Sequence, residues 1–243
     1  MEERTILIPD KLDIIQDSRY FKFGNDSVFL ADFTIIKPGE TVVEFGSGSG
    51  VIPLLLAFKK EPAIITGIEI QEELVKLARR NIELNNLEDK IEVIRGDFSR
   101  ASEYFEAGSI DLVVSNPPYM PPDSGKVTLA RKKAIARHEI YAGLEDLIRE
   151  AAIILKNGGR LSMVHRSVRL AEIIALMKAY KLEPKRLKIV QSRTYMGAKT
   201  VLLEARKGSR PGLEVEPVLI VYEGSSGEYT REVKKIYGED CFD

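Results

Sequence analysis

From residue 41 onward, short runs of β-branched and apolar residues alternate with longer stretches of helical period. That alternation admits little besides a mostly parallel sheet with helices on its faces. Five strand candidates, Thr41 to Phe45, Ile64 to Ile70, Ile91 to Arg95, Leu112 to Ser115 and Arg160 to Val164, are bounded by Gly, Asp or Asn. Between them Val51 to Lys59, Gln71 to Asn85 and Leu144 to Leu155 carry apolar residues three and four apart, as at Leu74, Leu77, Ala78 and Ile82, the pattern of a helix with one buried face. Val168 to Tyr180 predicts another helix, and Arg186 to Gln191 with Thr200 to Ala205 predict two more strands joined hairpin-fashion, seven in all. Residues 207–217, KGSRPGLEVEP, mark a Gly/Pro-rich boundary, beyond which Val218 to Tyr222 and Glu228 to Tyr237 predict a short strand and a helix.

With 243 residues, 44% hydrophobic and 30% charged, the chain fits one globular domain with additions, and disordered, collagen-like and disulfide-stapled classes are set aside. Lys and Arg total 36 against 37 Asp and Glu, so any basic surface must be local. Cys241 is the only cysteine, which rules out an internal disulfide and a cysteine metal site and points to a reducing compartment. His138 and His165 have no partners at metal spacing, so no metal is expected. The longest apolar run, Val51 to Phe58, falls far short of the roughly 20 residues that span a bilayer, and the opening MEERTILIPDKLD is acidic where a signal peptide is basic. A soluble, cytoplasmic protein without a membrane partner is the expectation, with a monomer as the simplest state.

The segment VVEFGSGSGVIPLLL sets Glu44, Gly46, Ser47, Gly48 and Gly50 at the end of the first of these strands and the start of a helix that carries Pro53 in its opening turn. Glycines let the backbone turn sharply and approach a ligand, and the helix N-terminus offers free N–H groups to an anion. The dinucleotide pattern G-x-G-x-x-G fails here, because the third position falls on Val51, and a nicotinamide oxidoreductase is disfavoured. Glu44, inside the strand end, suits a ligand carrying an ammonium group. Glu69, followed by Ile70, ends the next strand 19 residues beyond Gly50, where a carboxylate can accept both ribose hydroxyls of an adenosine. Asp97 and Phe98, in RGDF, end the third, where a carboxylate can accept the adenine amino group and a ring can lie against the adenine face.

After the fourth strand, IDLVVSNPPYMPP places Asn116, Pro117, Pro118 and Tyr119 at the carboxyl edge of the sheet, where open α/β sheets bind ligands. Two consecutive prolines fix the turn and supply no N–H, so its carbonyls are held as acceptors, and Asn116 adds a side-chain oxygen. An exocyclic or amide nitrogen is a poor nucleophile because its lone pair is delocalised. Two acceptors on its hydrogens stabilise the positive charge that grows as it attacks a methyl group, while Tyr119 can stack on a flat substrate.

Taken in order, E-x-G-x-G-x-G, Glu69 and Asp97-Phe98 resemble the S-adenosylmethionine site of the Rossmann-like methyltransferases, and Asn116 to Tyr119 resemble the NPPY motif of those that act on amino groups. The resemblance implies an α/β, class I S-adenosylmethionine methyltransferase fold: a seven-stranded, mostly parallel sheet with the last strand antiparallel and helices on both faces. Gln16 to Ala31, Ile135 to Glu139 and Val164 to Ile173 further resemble the bacterial tRNA1(Val) (adenine(37)-N6)-methyltransferase family over nearly the whole chain. That likeness implies that residues 1–40 cover the cofactor and substrate, placing Asp26 and Ser27 near the site, ahead of a methyltransferase domain at 41–206 and a C-terminal extension at 207–243 packed on it.

Charge supports an RNA substrate. Lys126, Arg131, Lys132, Lys133 and Arg137 follow the NPPY turn with no acid among them, and His138 stands beside them at the substrate mouth. Two further runs, Lys185, Arg186, Lys188, Arg193 and Lys199, and Lys156, Arg160, His165, Arg166 and Arg169, predict with the first a one-sided basic face. A target base must be unstacked and held in a pocket, which an anticodon loop permits at low cost. The competing readings are an N5-glutamine methyltransferase of a protein such as a release factor and a non-catalytic cofactor- or RNA-binding module. The first would carry a helical recognition domain where only about 40 residues precede the first strand, and the second would be expected to lose the NPPY acceptors.

Overall fold

The computed structural model of the chain describes residues 2–8, 11–20, 23–60, 62, 64–117 and 143–239. It opens with a hairpin that the hydrophobic pattern does not predict: β1 (Glu2–Ile8) runs antiparallel to β2 (Leu12–Asp17), in a register from Glu2 opposite Asp17 to Ile8 opposite Leu12. Helix α1 (Asn25–Phe33) follows, with Ser27, Val28, Phe29, Leu30, Ala31 and Phe33 all buried. A helix buried on so many sides has no polar stripe to give it a period.

The alternating part then follows the expected order. It comprises β3 (Thr41–Phe45), α2 (Val51–Lys59), β4 (Ile64–Glu69), α3 (Glu72–Leu84), β5 (Ile91–Arg95), a short 3-10 turn at Phe98–Glu103, β6 (Ile110–Ser115), α4 (Leu144–Ile154) and β7 (Leu155–Arg166). After a turn at Ser167–Arg169 come α5 (Leu170–Ala179), β8 (Leu182–Gln191), β9 (Thr200–Lys207), the two-residue strands β10 (Glu214–Val215) and β11 (Leu219–Ile220), and α6 (Arg231–Ile236). The seven expected strands lie in the order β8-β9-β7-β6-β3-β4-β5. Strand β9 is antiparallel to both neighbours, and β3, β4, β5, β6 and β7 are parallel. Beyond the seven, β10 and β11 pair in parallel with successive stretches of β8, which makes nine strands, while the N-terminal hairpin forms a sheet of its own.

Because side chains alternate across a strand, neighbouring residues serve opposite faces. Val42, Leu112 and Val114 join one core with α1, α2, α3, the hairpin and α6, whereas Val43, Val113 and Leu161 join a second with α4 and α5. The C-terminal residues Val233 and Ile236 belong to the first core, and Lys59 donates to the Ile236 carbonyl at 2.5 Å. The hairpin is attached through two asparagines of α3. Asn81 receives the Ile15 N–H at 2.7 Å and returns a bond to its carbonyl at 3.0 Å, and Asn85 does the same for Asp13 at 3.1 and 2.8 Å. Side-chain amides here replace the ladder that a neighbouring strand would supply.

Among the described residues, no helix is long and apolar enough to cross a membrane, and no three His, Cys, Asp or Glu side chains are grouped to hold a metal.

Candidate active site

The carboxyl ends of β3, β4, β5 and β6 meet at one edge. Strand β3 leaves the sheet at Phe45, after which Gly46 and Ser47 donate to the Ile68 carbonyl at 2.9 and 3.1 Å, folding the loop back over β4. Gly46, Gly48 and Gly50 all have positive φ. At Gly50, φ is 86°, a left-handed conformation that strains any L side chain, and the residue lies close against Ala78 of α3. At Gly67 a Cβ would fall 2.7 Å from Ser47 Oγ, which is why β4 has a glycine where the loop crosses it.

Glu69 braces this loop from below: Oε2 accepts from the Gly48 N–H and Oε1 from the Gln71 N–H, both at 2.9 Å. Asn81, fully buried, donates to the Ser49 carbonyl at 2.9 Å and so ties the loop to the same amide that holds the hairpin. Sequence reading misses this residue, because its role rests on contacts far apart in the chain. Glu44 is 1% exposed, and its Oε2 has no hydrogen-bond partner among the described residues. Burial, and then the charge of Glu69, hold the Glu44 carboxyl well above the ordinary carboxylate range.

Ile70 is exposed beside Glu69, and Asp97 caps the 3-10 turn by accepting from Ser99 N–H at 2.9 Å. Phe98 departs from expectation. Its ring is 6% exposed and stacks on Phe45 with centroids 5.5 Å apart, so it forms the floor under Gly46 instead of offering a face to adenine. Ile70 is exposed at that edge, as is Tyr104, whose hydroxyl accepts from Asp97 N–H at 3.3 Å.

Phe45 and Ser115 are register partners, and Ser115 Oγ donates to the Phe45 carbonyl at 2.9 Å. Asn116 therefore leaves β6 beside Gly46. Its Nδ2 donates 2.9 Å to Ser27 Oγ, which brings α1 to the site, with Asp26 in the same helical turn. Pro117 is buried. Pro118, Tyr119, Lys126, Arg131, Lys132, Lys133, Arg137 and His138 lie outside the described residues, as does Cys241.

The expected one-sided basic face is corrected by the second and third basic runs. Arg160 forks onto Glu40 at 2.9 and 2.7 Å and lies 3.9 Å from Glu204. Arg186 bridges Glu204 and Glu216 and sits over the Phe33 ring at 4.2 Å. Lys156, at the opposite end of β7, pairs with Asp111, Lys188 with Glu232 and Arg169 with Glu172. These cations neutralise carboxylates of the scaffold; Arg166 and Lys199, exposed, and Arg193 stand at the site edge of the sheet. His165 is buried, and burial followed by the Arg169 charge pushes its pKa down to about 4, leaving a neutral ring whose Nδ1 accepts from Arg166 N–H at 2.8 Å.

Residues 25–181 match the family model of the methyltransferase small domain. Among curated proteins, the tRNA1(Val) (adenine(37)-N6)-methyltransferase of Porphyromonas gingivalis is 29% identical over 239 residues, 93% of this chain and 92% of the relative. The protein of the same name from Parabacteroides distasonis is 30% identical over 178 residues, 72% of this chain and 73% of its own. Among solved structures, the "predicted O-methyltransferase" Atu636 of Agrobacterium tumefaciens superposes with a TM-score of 0.71 at 25% identity, over 88% of this chain and 96% of that one. With its nucleotide-edge geometry and these relatives together, the chain belongs to the methyltransferase small domain family, on the branch of the tRNA1(Val) (adenine(37)-N6)-methyltransferases.

Proposed function

We propose that the chain transfers a methyl group from S-adenosylmethionine to the exocyclic N6 of an adenine in the anticodon loop of a tRNA, position 37 of a valine tRNA, acting as a monomer in the cytoplasm. The observation that carries the reading is Asn116 emerging beside the glycine loop in a chain that aligns over 93% of its length with an enzyme named for that reaction. The domain division at residues 40 and 206 is part of the same proposal.

The residues at the edge fit the cofactor. The orphaned Glu44 Oε2 is a buried acceptor for an ammonium, the N-terminus of α2 faces the loop, and Glu69 sets a carboxylate at the end of β4, a group of the kind that accepts ribose hydroxyls. Asp97 and Ile70 stand where the adenine would lie. When bound, the cofactor supplies an electrophilic methyl group on a sulfonium.

The chain's own part is to place and polarise the acceptor. The Asn116 side-chain oxygen and the Pro117 carbonyl accept the two amino hydrogens, which opposes delocalisation of the nitrogen lone pair and stabilises the charge it gains. Tyr119 stacks on the base and keeps its nitrogen in line. The surplus proton passes to water, because amide oxygens are too weakly basic to retain it.

The direct test incubates the protein with methyl-labelled S-adenosylmethionine and unmodified tRNA and digests the RNA to nucleosides. Labelled N6-methyladenosine is the expected product; label on a release-factor glutamine peptide, with none on tRNA, would replace the substrate assignment.

Two expectations follow from charge. An ammonium seated against Glu44 favours the ionised carboxylate, whereas burial in the free protein favours the protonated one, so binding releases a proton. Cofactor affinity therefore rises with pH through the range in which the free Glu44 titrates, and the slope disappears in Glu44→Gln. Calorimetric Kd values across pH check this, and a slope equal in both proteins would move the ammonium elsewhere. Changing Lys132 and Lys133 to Glu should raise the Kd for tRNA and flatten its dependence on salt. An unchanged salt slope would make that run a solvated face.

A further inference from the structure

A side-chain amide has an accepting end and a donating end, and a flip exchanges them. At Asn116 the difference is functional, since only the oxygen can take a hydrogen from a substrate amino group. Its Nδ2 donates 2.9 Å to Ser27 Oγ. In that orientation the nitrogen is engaged by the Ser27 hydroxyl, which ties the amide to α1. The flipped amide would set donor against donor at the reacting nitrogen.

Ser27 is buried, and the helix that carries it is gripped from the far end of the chain. Asn25, the first residue of α1, accepts at Oδ1 from the Tyr237 hydroxyl at 2.8 Å and from that of Tyr229 at 3.1 Å. The rings of Tyr222, Tyr229 and Tyr237 stack in sequence, with centroids 5.4 Å apart at each step. Arg193 lies over the Tyr222 ring at 5.4 Å and donates to the Gly224 carbonyl. Burial raises the Tyr237 hydroxyl well above its ordinary value, so it keeps its proton as a donor at neutral pH. Hydrogen bonds thus join the C-terminal extension to Asn25, and, two residues further along the same helix, Ser27 to the amide at the carboxyl end of β6.

We propose that Ser27 is a positioning residue that holds the Asn116 amide in place at the carboxyl end of β6 through its Nδ2, and that Tyr229 and Tyr237 set the place of the Ser27 hydroxyl by gripping Asn25 on the same helix. The inference rests on the amino-group transfer read above and gives the C-terminal extension a part in it.

Ser27→Ala is expected to lower kcat about tenfold, the effect of losing one hydrogen bond to the reacting geometry, with KM for tRNA and Kd for S-adenosylmethionine within about twofold. Ser27→Thr retains the hydroxyl and should restore most of the rate. A readout independent of turnover is the Asn116 side-chain NH2 pair in isotope-labelled protein, observed by NMR and identified by its loss in Asn116→Ala. Its hydrogen exchange is expected to be slow in the wild type and Ser27→Thr, fast in Ser27→Ala and intermediate in Asn25→Ala. Unchanged exchange in Ser27→Ala, an unchanged kcat, or a loss confined to cofactor affinity would overturn the inference. A wild-type protein that binds cofactor but leaves tRNA unmethylated would overturn the substrate reading instead, and the exchange comparison would still decide the role of Ser27.

Discussion

Asn116→Ala is expected to lower methyl transfer to tRNA by about 10²–10³-fold or more while leaving the Kd for S-adenosylmethionine within about threefold. The substitution removes one of two acceptors on the reacting amino group and also the partner that keeps α1 against β6 through Ser27. The hydrogen bonds that hold the glycine loop come from other residues. Gly46 and Ser47 hang from Ile68, Gly48 from Glu69, and the Ser49 carbonyl from Asn81. Single-turnover rates with labelled cofactor, beside calorimetric binding of the same cofactor, separate the two effects. Full turnover in the variant would remove Asn116 from the reaction, and a parallel loss of rate and affinity would make it part of the cofactor site.

The second large effect concerns stability. Arg160 is partly buried on β7, forked onto Glu40, donating to the Ile35 carbonyl at 2.9 Å and close to Glu204, which also meets Arg186. Arg160→Met preserves much of the volume and leaves Glu40 without its cation, which costs about 3 kcal/mol for a partly buried pair broken on one side, between the exposed and the fully buried case. For a chain of this length that corresponds to a Tm lower by roughly 10 °C. Lys156→Met provides the contrast: its pair with Asp111 is half-exposed, and such pairs contribute about 0–1 kcal/mol. Calorimetric melting of both variants at neutral pH tests the difference, and equal Tm values would show that Arg160 is no more than a surface cation.

The same residue illustrates what a sequence can disclose. Strands β3 and β5 and helix α2 have the bounds that their composition predicts, because each is decided locally by β-branched runs or by apolar spacing with a glycine before it. The glycine loop, Glu69 and Asn116 are legible for a similar reason, since each sits where a strand stops. Arg160 and Arg186 read as parts of basic runs, yet their strands turn them toward Glu40, Glu204 and Glu216, acids that lie up to 120 residues away in the chain. The β1–β2 hairpin alternates over only a short stretch, Leu12 and Ile14 turning inward, and is tied down by Asn81 and Asn85, 66 and 72 residues from their partners. Ser27 was placed near the site by family resemblance alone; the bond that explains it spans 89 residues. The stacking of Phe98 on Phe45 is not legible either, because an aromatic residue at a strand end looks the same in sequence whether its ring faces a ligand or a second phenylalanine.

Strand β9 lies between β7 and β8, although β8 precedes it in the chain. During synthesis β8 therefore emerges with no neighbour to receive it, and it can join the sheet only after residues up to Lys207 have left the ribosome. The edge that carries Asn116 and the glycine loop is complete long before this, but the carboxylate that Arg160 shares with Arg186 arrives on β9 itself, at Glu204. A ribosome that stalls between β8 and β9 would thus hold a nascent chain with its ligand loop already built and Arg160 and Arg186 still without Glu204, a state exposed to proteases and chaperones until β9 enters between its neighbours.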